Sequence, residues 1–253
     1  MIRSALMVVT MLVACAACTT PSKPLSKPQP DRASDINLEL GIDYFRKGNL
    51  SMAKEKIDRA VEQNPRNAKA QAAAGLLYDR LNEPKKSESH FEKAVSITPN
   101  NPDILNNYAV ILCKNDKQAK GEKYFLQAAG NPLYKTPEVA YMNAGNCVRE
   151  GGNLEHAEAN YRKALSINPR FSEALYQMAE LEFQKQNYLS ARAFVERYLD
   201  GGKPNAAVLW LALRIEKALG NQNGVSNYAQ RLKLEFPRAA ETRLMLESER
   251  RPG

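Results

Sequence analysis

The sequence predicts an all-α solenoid made of six stacked helix pairs. Three observations carry that expectation. Small and aromatic residues recur with a period of thirty-four between residues 34 and 237. Each period holds two helix-length stretches separated by turn signals such as Lys47-Gly48-Asn49 and Glu150-Gly151-Gly152-Asn153. No segment shows the alternation of a β-strand. A helix pair with one apolar face cannot bury that face alone, so the pairs must stack.

The chain begins with Arg3 ahead of the apolar run Ala5 to Ala14, which has the build of a secretory signal peptide over residues 1–14. A run of about ten residues is too short to span a bilayer. Leu12-Val13-Ala14-Cys15 resembles the lipobox of bacterial lipoproteins, which makes Cys15 the expected lipidation site, with Cys18 as the alternative. The C-x-x-C spacing of these two cysteines lacks the helix N-terminus of a redox motif and the further ligands of a metal site. Residues 15–33 are rich in proline and read as an extended tether.

The repeats follow in order. Unit one (34–67) carries Leu40, Gly41, Tyr44, Ala53, Ala60 and Pro65, and unit two (68–101) carries Gly75, Tyr78, Phe91, Ala94 and Pro99. Unit three (102–137) keeps Ala109, Leu112, Phe125 and Ala128, then inserts two residues within the stretch from Gly130 to Pro137. Unit four (138–171) restores the pattern with Gly145, Ala157, Tyr161, Ala164 and Pro169. Units five (172–205) and six (206–237) are weaker, marked by Ala179, Ala191 and Pro204, and by Leu213, Ala229, Leu232 and Pro237. Residues 238–253 supply a last helix, around Thr242 to Ser248, that caps the stack, and then a tail.

These residues resemble the tetratricopeptide repeat, a helix-turn-helix unit whose stacks form a right-handed superhelical solenoid. In that unit glycine and alanine let the paired helices approach while aromatic side chains fill the space between them.

Chemistry is sparse. The two histidines, His90 and His156, fall in different units and form neither a metal site nor an evident general base. No nucleophile elbow, phosphate-binding loop or paired-carboxylate constellation occurs. The sequence therefore points to no enzyme, no cofactor, no metal and no small-molecule substrate. A formal net charge of +8 can favour acidic partners, but no basic run with interleaved aromatics accompanies it, which argues against nucleic acid.

Cys113 and Cys147 occupy the twelfth position of unit three and the tenth of unit four, late on the first helices of neighbouring units. In an exported protein they meet an oxidising compartment. A disulfide across the insertion is expected, the alternative being two buried free thiols.

Tetratricopeptide solenoids hold peptides or proteins along the concave face of their first helices, at the second, fifth, ninth, twelfth and thirteenth positions. On this chain that face comprises Leu38, Ile42, Phe45 and Arg46, then Leu76, Asp79 and Arg80. It continues through Asn106, Val110, Lys114, Met142, Asn146, Arg149 and Glu150 to Tyr176, Phe183, Trp210, Arg214 and Lys217. Asn106 and Asn146 are expected to bond an extended backbone, and Arg80, Lys114 and Arg149 to pair acidic groups. The insertion makes the central groove the favoured position.

The lipobox, the tether and the six units together resemble the PilW/PilF lipoproteins of type IV pilus biogenesis. Leu40 to Tyr44, Leu105 to Tyr108, Ala144 to Asn146 and Phe183 to Arg192 carry the likeness. The resemblance implies a lipid-anchored protein on the periplasmic face of the outer membrane. It also implies the pilus secretin as a partner, alongside other pilus assembly proteins, with stable secretin multimers as the outcome. The alternative is an adaptor of the same architecture for outer-membrane protein insertion or for cell-wall enzymes. Composition and spacing by themselves support a membrane-tethered scaffold that binds proteins.

Overall fold

A computed structural model of the chain describes residues 30–201 and 203–250. The signal peptide, Cys15, Cys18 and most of the tether lie outside the described residues. Among the described residues there are thirteen α-helices and no strands. They run α1 (Pro30–Arg46), α2 (Leu50–Gln63), α3 (Ala68–Arg80), α4 (Pro84–Ile97), α5 (Pro102–Lys114), α6 (Gln118–Ala129) and α7 (Pro137–Glu150). The chain continues through α8 (Leu154–Ile167), α9 (Ser172–Gln184), α10 (Tyr188–Gly201), α11 (Ala206–Ala218), α12 (Gln222–Glu235) and α13 (Ala240–Arg250). Six consecutive pairs form the units, and α13 closes the last of them.

Local chemistry sets the helix ends. Asn49, Asn67, Asn101, Asn153, Asn205 and Asn221 each cap a helix through the side-chain oxygen, which accepts from a backbone N–H in the first turn. Each of the six turns between paired helices contains one residue in the left-handed conformation: Gly48, Asn82, Asp116, Gly152, Gln186 and Gly220. Reversal of the chain in so few residues requires it.

One boundary differs from the expected one. The tether was expected to reach residue 33, but α1 already begins at Pro30. Proline breaks a helix in its interior yet suits the first turn, whose N–H is unpaired in any case, and Asp31 favours the positive end of the helix dipole.

Close approach inside each pair explains the small residues. A Cβ on Gly75 would stand 2.5 Å from the ring of Phe91, and one on Gly145 would stand 2.4 Å from the ring of Tyr161. Phe91, Phe125 and Tyr161 are fully buried in the spaces so formed, and each contributes about 1.5–3 kcal/mol through burial. Between units, Arg192 grips the buried Glu216 with Nε–Oε1 at 2.8 Å and Nη2–Oε2 at 2.5 Å. At the far end Met245 is buried against Leu209 and Leu213, while the Thr242 hydroxyl donates to the Phe236 carbonyl at 2.7 Å.

The insertion joint is built differently from the others. There α6 and α7 pack against each other more extensively than the corresponding helices elsewhere. Cys113 and Cys147 are disulfide-bonded across it, with Cα atoms 5.5 Å apart. Gly121 of α6 lies against the bridge, where a Cβ would come within 2.4 Å of Cys113 Sγ. No helix among the described residues is long and apolar enough to cross a membrane.

Candidate protein-binding groove

The first helices of the units line one face of the stack, and the positions singled out from the register fall into four groups along it. Leu38, Ile42, Phe45 and Arg46 of α1 meet Leu76 of α3 around a concavity of about 490 Å³. Its apolar floor includes Ala72, Ala73 and Ile104, and Lys69, Asn101 and Asp103 stand on its rim beside Arg46. The alanines matter because they are small: a larger residue at 72 or 73 would fill the hollow. Leu38 is buried, Ile42 and Phe45 are half-buried, and Leu76 is 38% exposed.

The second group is a polar cleft of about 520 Å³ at the ends of α3 and α5, lined by Asp79, Arg80, Asn82 and Lys114. Lys114 Nζ pairs with Asp79 Oδ2 at 2.7 Å, so an acidic ligand in this cleft would share the ammonium with that carboxylate. Arg80 is exposed.

In the centre the side chains satisfy one another. Asn106 Oδ1 lies 3.5 Å from Asn143 Nδ2, and Val110 packs beside Cys113. Asn146 donates to Met142 Sδ at 3.1 Å and accepts from the Tyr161 hydroxyl at 2.8 Å. Asn146, expected to bond a peptide backbone, thus makes one intramolecular hydrogen bond at each end of its amide and keeps one N–H and one lone pair. The apolar hollow itself lies nearer the start of the stack than the favoured central position.

The fourth group gathers on α7, α9 and α11. Arg149 Nη1 donates to Gln177 Oε1 at 2.5 Å, and the Tyr176 hydroxyl donates to Glu180 Oε1 at 3.3 Å. Burial, followed by the Glu180 charge, pushes the Tyr176 phenol up to about 12. Arg214 stacks over Phe183, 4.4 Å from the ring centroid. Glu150 and Lys217 are exposed, and Trp210 is half-buried in the terminal core. The register reading passed over Glu180, although it holds the ninth position of unit five.

The two histidines stand apart, His90 in the packing of the second unit and His156 on the surface. His90 stacks on Tyr78 with ring planes 3° apart and donates from Nδ1 to Gln71 Oε1 at 2.8 Å, and burial lowers its pKa. His156 faces Glu122 at 3.1 Å on the surface.

Comparisons with known proteins place this geometry. The family described as tetratricopeptide repeat matches residues 38–102 and 137–207, and a second profile of the same description matches residues 90–123. The type IV pilus assembly protein PilF of Pseudomonas aeruginosa is 27% identical over 211 residues, covering 83% of this chain and 84% of that protein. Among solved structures, PilW, described as a widely conserved type IV pilus biogenesis factor, superimposes with a TM-score of 0.73 at 29% identity. That match covers 84% of this chain and 98% of PilW. The P. aeruginosa PilF structure superimposes at 0.72 with 26% identity, over 87% of this chain and 99% of that one. MamA, at 18% identity and a TM-score of 0.58, shares the fold. By its repeats, its helix pairing and these matches, the chain belongs to the tetratricopeptide repeat family and is homologous to PilF and PilW.

Proposed function

We propose that this protein is a scaffold of type IV pilus biogenesis. It is held by a lipidated Cys15 or Cys18 on the periplasmic face of the outer membrane, where it binds the pilus secretin and favours its stable multimers. Homology to PilF and PilW supports the place in pilus biogenesis. The anchor and the secretin rest on the resemblance set out from the sequence.

The observation that carries protein binding is the apolar hollow between α1, α3 and α5. A concavity of about 490 Å³ floored by Ile42, Phe45, Ala73 and Ile104 exposes apolar surface that a solvated scaffold otherwise hides. An apolar side chain or helix face of a partner gains roughly 25 cal/mol for each Å² it buries there.

Deletion of the gene followed by a blot for heat-stable secretin multimers tests the reading. Loss of multimers and pili supports it. Normal multimers with altered outer-membrane porin levels would favour the adaptor alternative instead. Mass spectrometry of the mature N-terminus identifies the lipidated cysteine.

A further inference from the structure

We propose that the concave face of the last three units carries a carboxylate-recognition site, built on Arg149 and Arg214, that receives an acidic segment of a protein partner. This rests on the reading of the concave face as the partner-binding surface, and adds to it a second, chemically different site.

The charge arrangement carries the inference. Arg149 on α7 and Arg214 on α11 flank a single carboxylate, Glu180 on α9. Arg149 Nη2 stands 4.0 Å from Glu180 Oε2, and Arg214 Nη1 stands 3.9 Å from Oε1. Both separations exceed hydrogen-bonding distance, so Glu180 attracts the two guanidiniums without filling their donors. Arg149 uses one N–H on Gln177, while Arg214 is held by the 3.9 Å ion pair and the Phe183 ring. Each guanidinium has five donors in a planar fork suited to bidentate carboxylate binding.

Burial raises the stakes. The side chains of Arg149, Glu180 and Arg214 are 21%, 19% and 38% exposed. Cations partly removed from water with unfilled donors, two against one anion, favour a second anion. The Phe183 ring lies beneath Arg214, its centroid 4.4 Å from the guanidinium carbon, and supports that side chain without using its N–H donors.

The surroundings select a peptide carboxylate over a flat anionic surface. The site lies on the face lined by the first helices, with Tyr176 on α9 and Trp210 one helical turn before Arg214 on the same side of α11. These rings offer stacking surface for the neighbouring side chains of an extended chain, which a bilayer lacks.

Trp210 is the sole tryptophan of the chain and reports on the site. The full-length protein is titrated with a fluorescein-labelled oligoglutamate peptide, followed by anisotropy and by Trp210 emission. The expected result is saturable binding that an oligoglutamine peptide does not reproduce. Arg149→Gln and Arg214→Gln each weaken it by roughly tenfold or more. Arg214→Lys, which keeps the charge and loses the fork, falls between wild type and Arg214→Gln. Glu180→Gln removes the competing anion and tightens binding severalfold, a direction that structural damage does not produce. Equal binding by wild type and Arg214→Gln overturns the proposal. So does competition by inorganic phosphate or phosphatidylglycerol vesicles as strong as that of unlabelled peptide, which would make the site a general anion sink. Leu76→Arg, measured alongside, keeps oligoglutamate binding; loss of pilus assembly in Leu76→Arg speaks to the concave-face reading separately.

Discussion

Cys113 and Cys147 tie α5 to α7 directly over Gly121, so one covalent link spans the joint at which the repeat length changes. The loop it closes has a sequence separation of 34. In the chain-entropy description such a loop contributes about 3 to 4 kcal/mol by restricting the unfolded chain. Urea unfolding with and without reductant should show a loss of that order. An unchanged midpoint would leave the bridge without a stabilising role.

Gln186 occupies the left-handed turn position that glycine fills in three of the other units. A side chain with a Cβ is disfavoured there by about 1 kcal/mol. Gln186→Gly therefore stabilises the protein by roughly 0.5 to 1 kcal/mol, less the extra freedom glycine gives the unfolded state. A thermal melt checks it, and a lowered Tm would contradict it.

Leu76 is 38% exposed at the edge of the apolar hollow. Arginine there can point its charge into water, so Leu76→Arg changes stability by no more than about 0.5 kcal/mol while obstructing the hollow. The expected outcome is a normal melting curve with lost secretin multimers. Normal multimers in this variant would exclude the hollow as the docking surface.

Glu158 of α8 receives Lys185 from the next unit and Arg162 Nε at 2.7 Å from its own helix. The hydrogen bond from Lys185, then that from Arg162, holds its carboxyl below the ordinary value of 4.5. A depressed carboxyl contributes stability that is present above its unfolded pKa and is lost as pH falls through the folded one. Glu158→Gln should cost about 0.5 to 1 kcal/mol at pH 7. The difference from wild type closes as pH drops below 4.5, and denaturation midpoints across that range measure it.

The helix pairs were legible in the sequence because their determinants are local. Gly75 opposite Phe91 and Gly145 opposite Tyr161 recur in register, and Asn49 and Asn153 mark the starts of second helices. Pro30 misled because the same ring that disrupts a helix interior is well placed in its first turn. The register also assigned Leu38, Ile42, Phe45 and Leu76 to one face, where they meet in one hollow. What it could not supply were occupancies. Whether Asn146 is available depends on the hydroxyl of Tyr161, fifteen residues away on the partner helix. Glu180 gains meaning from Arg149 and Arg214 on two other helices. Spacing within one unit carries no information about the second of these, which joins three units.

The two ends of the stack differ, and this gives the molecule a direction. At one end α13 lies across α11 and α12 like a lid, with Met245 buried beneath it. At the other, Ile36 and Leu40 of α1 stand outward, 51% and 45% exposed among the described residues. A helix pair duplicated ahead of α1 would find an apolar surface ready to receive it, whereas one inserted behind α12 must first dislodge the lid. The described stack thus has unlike ends, one closed by packing and one with apolar side chains turned to solvent.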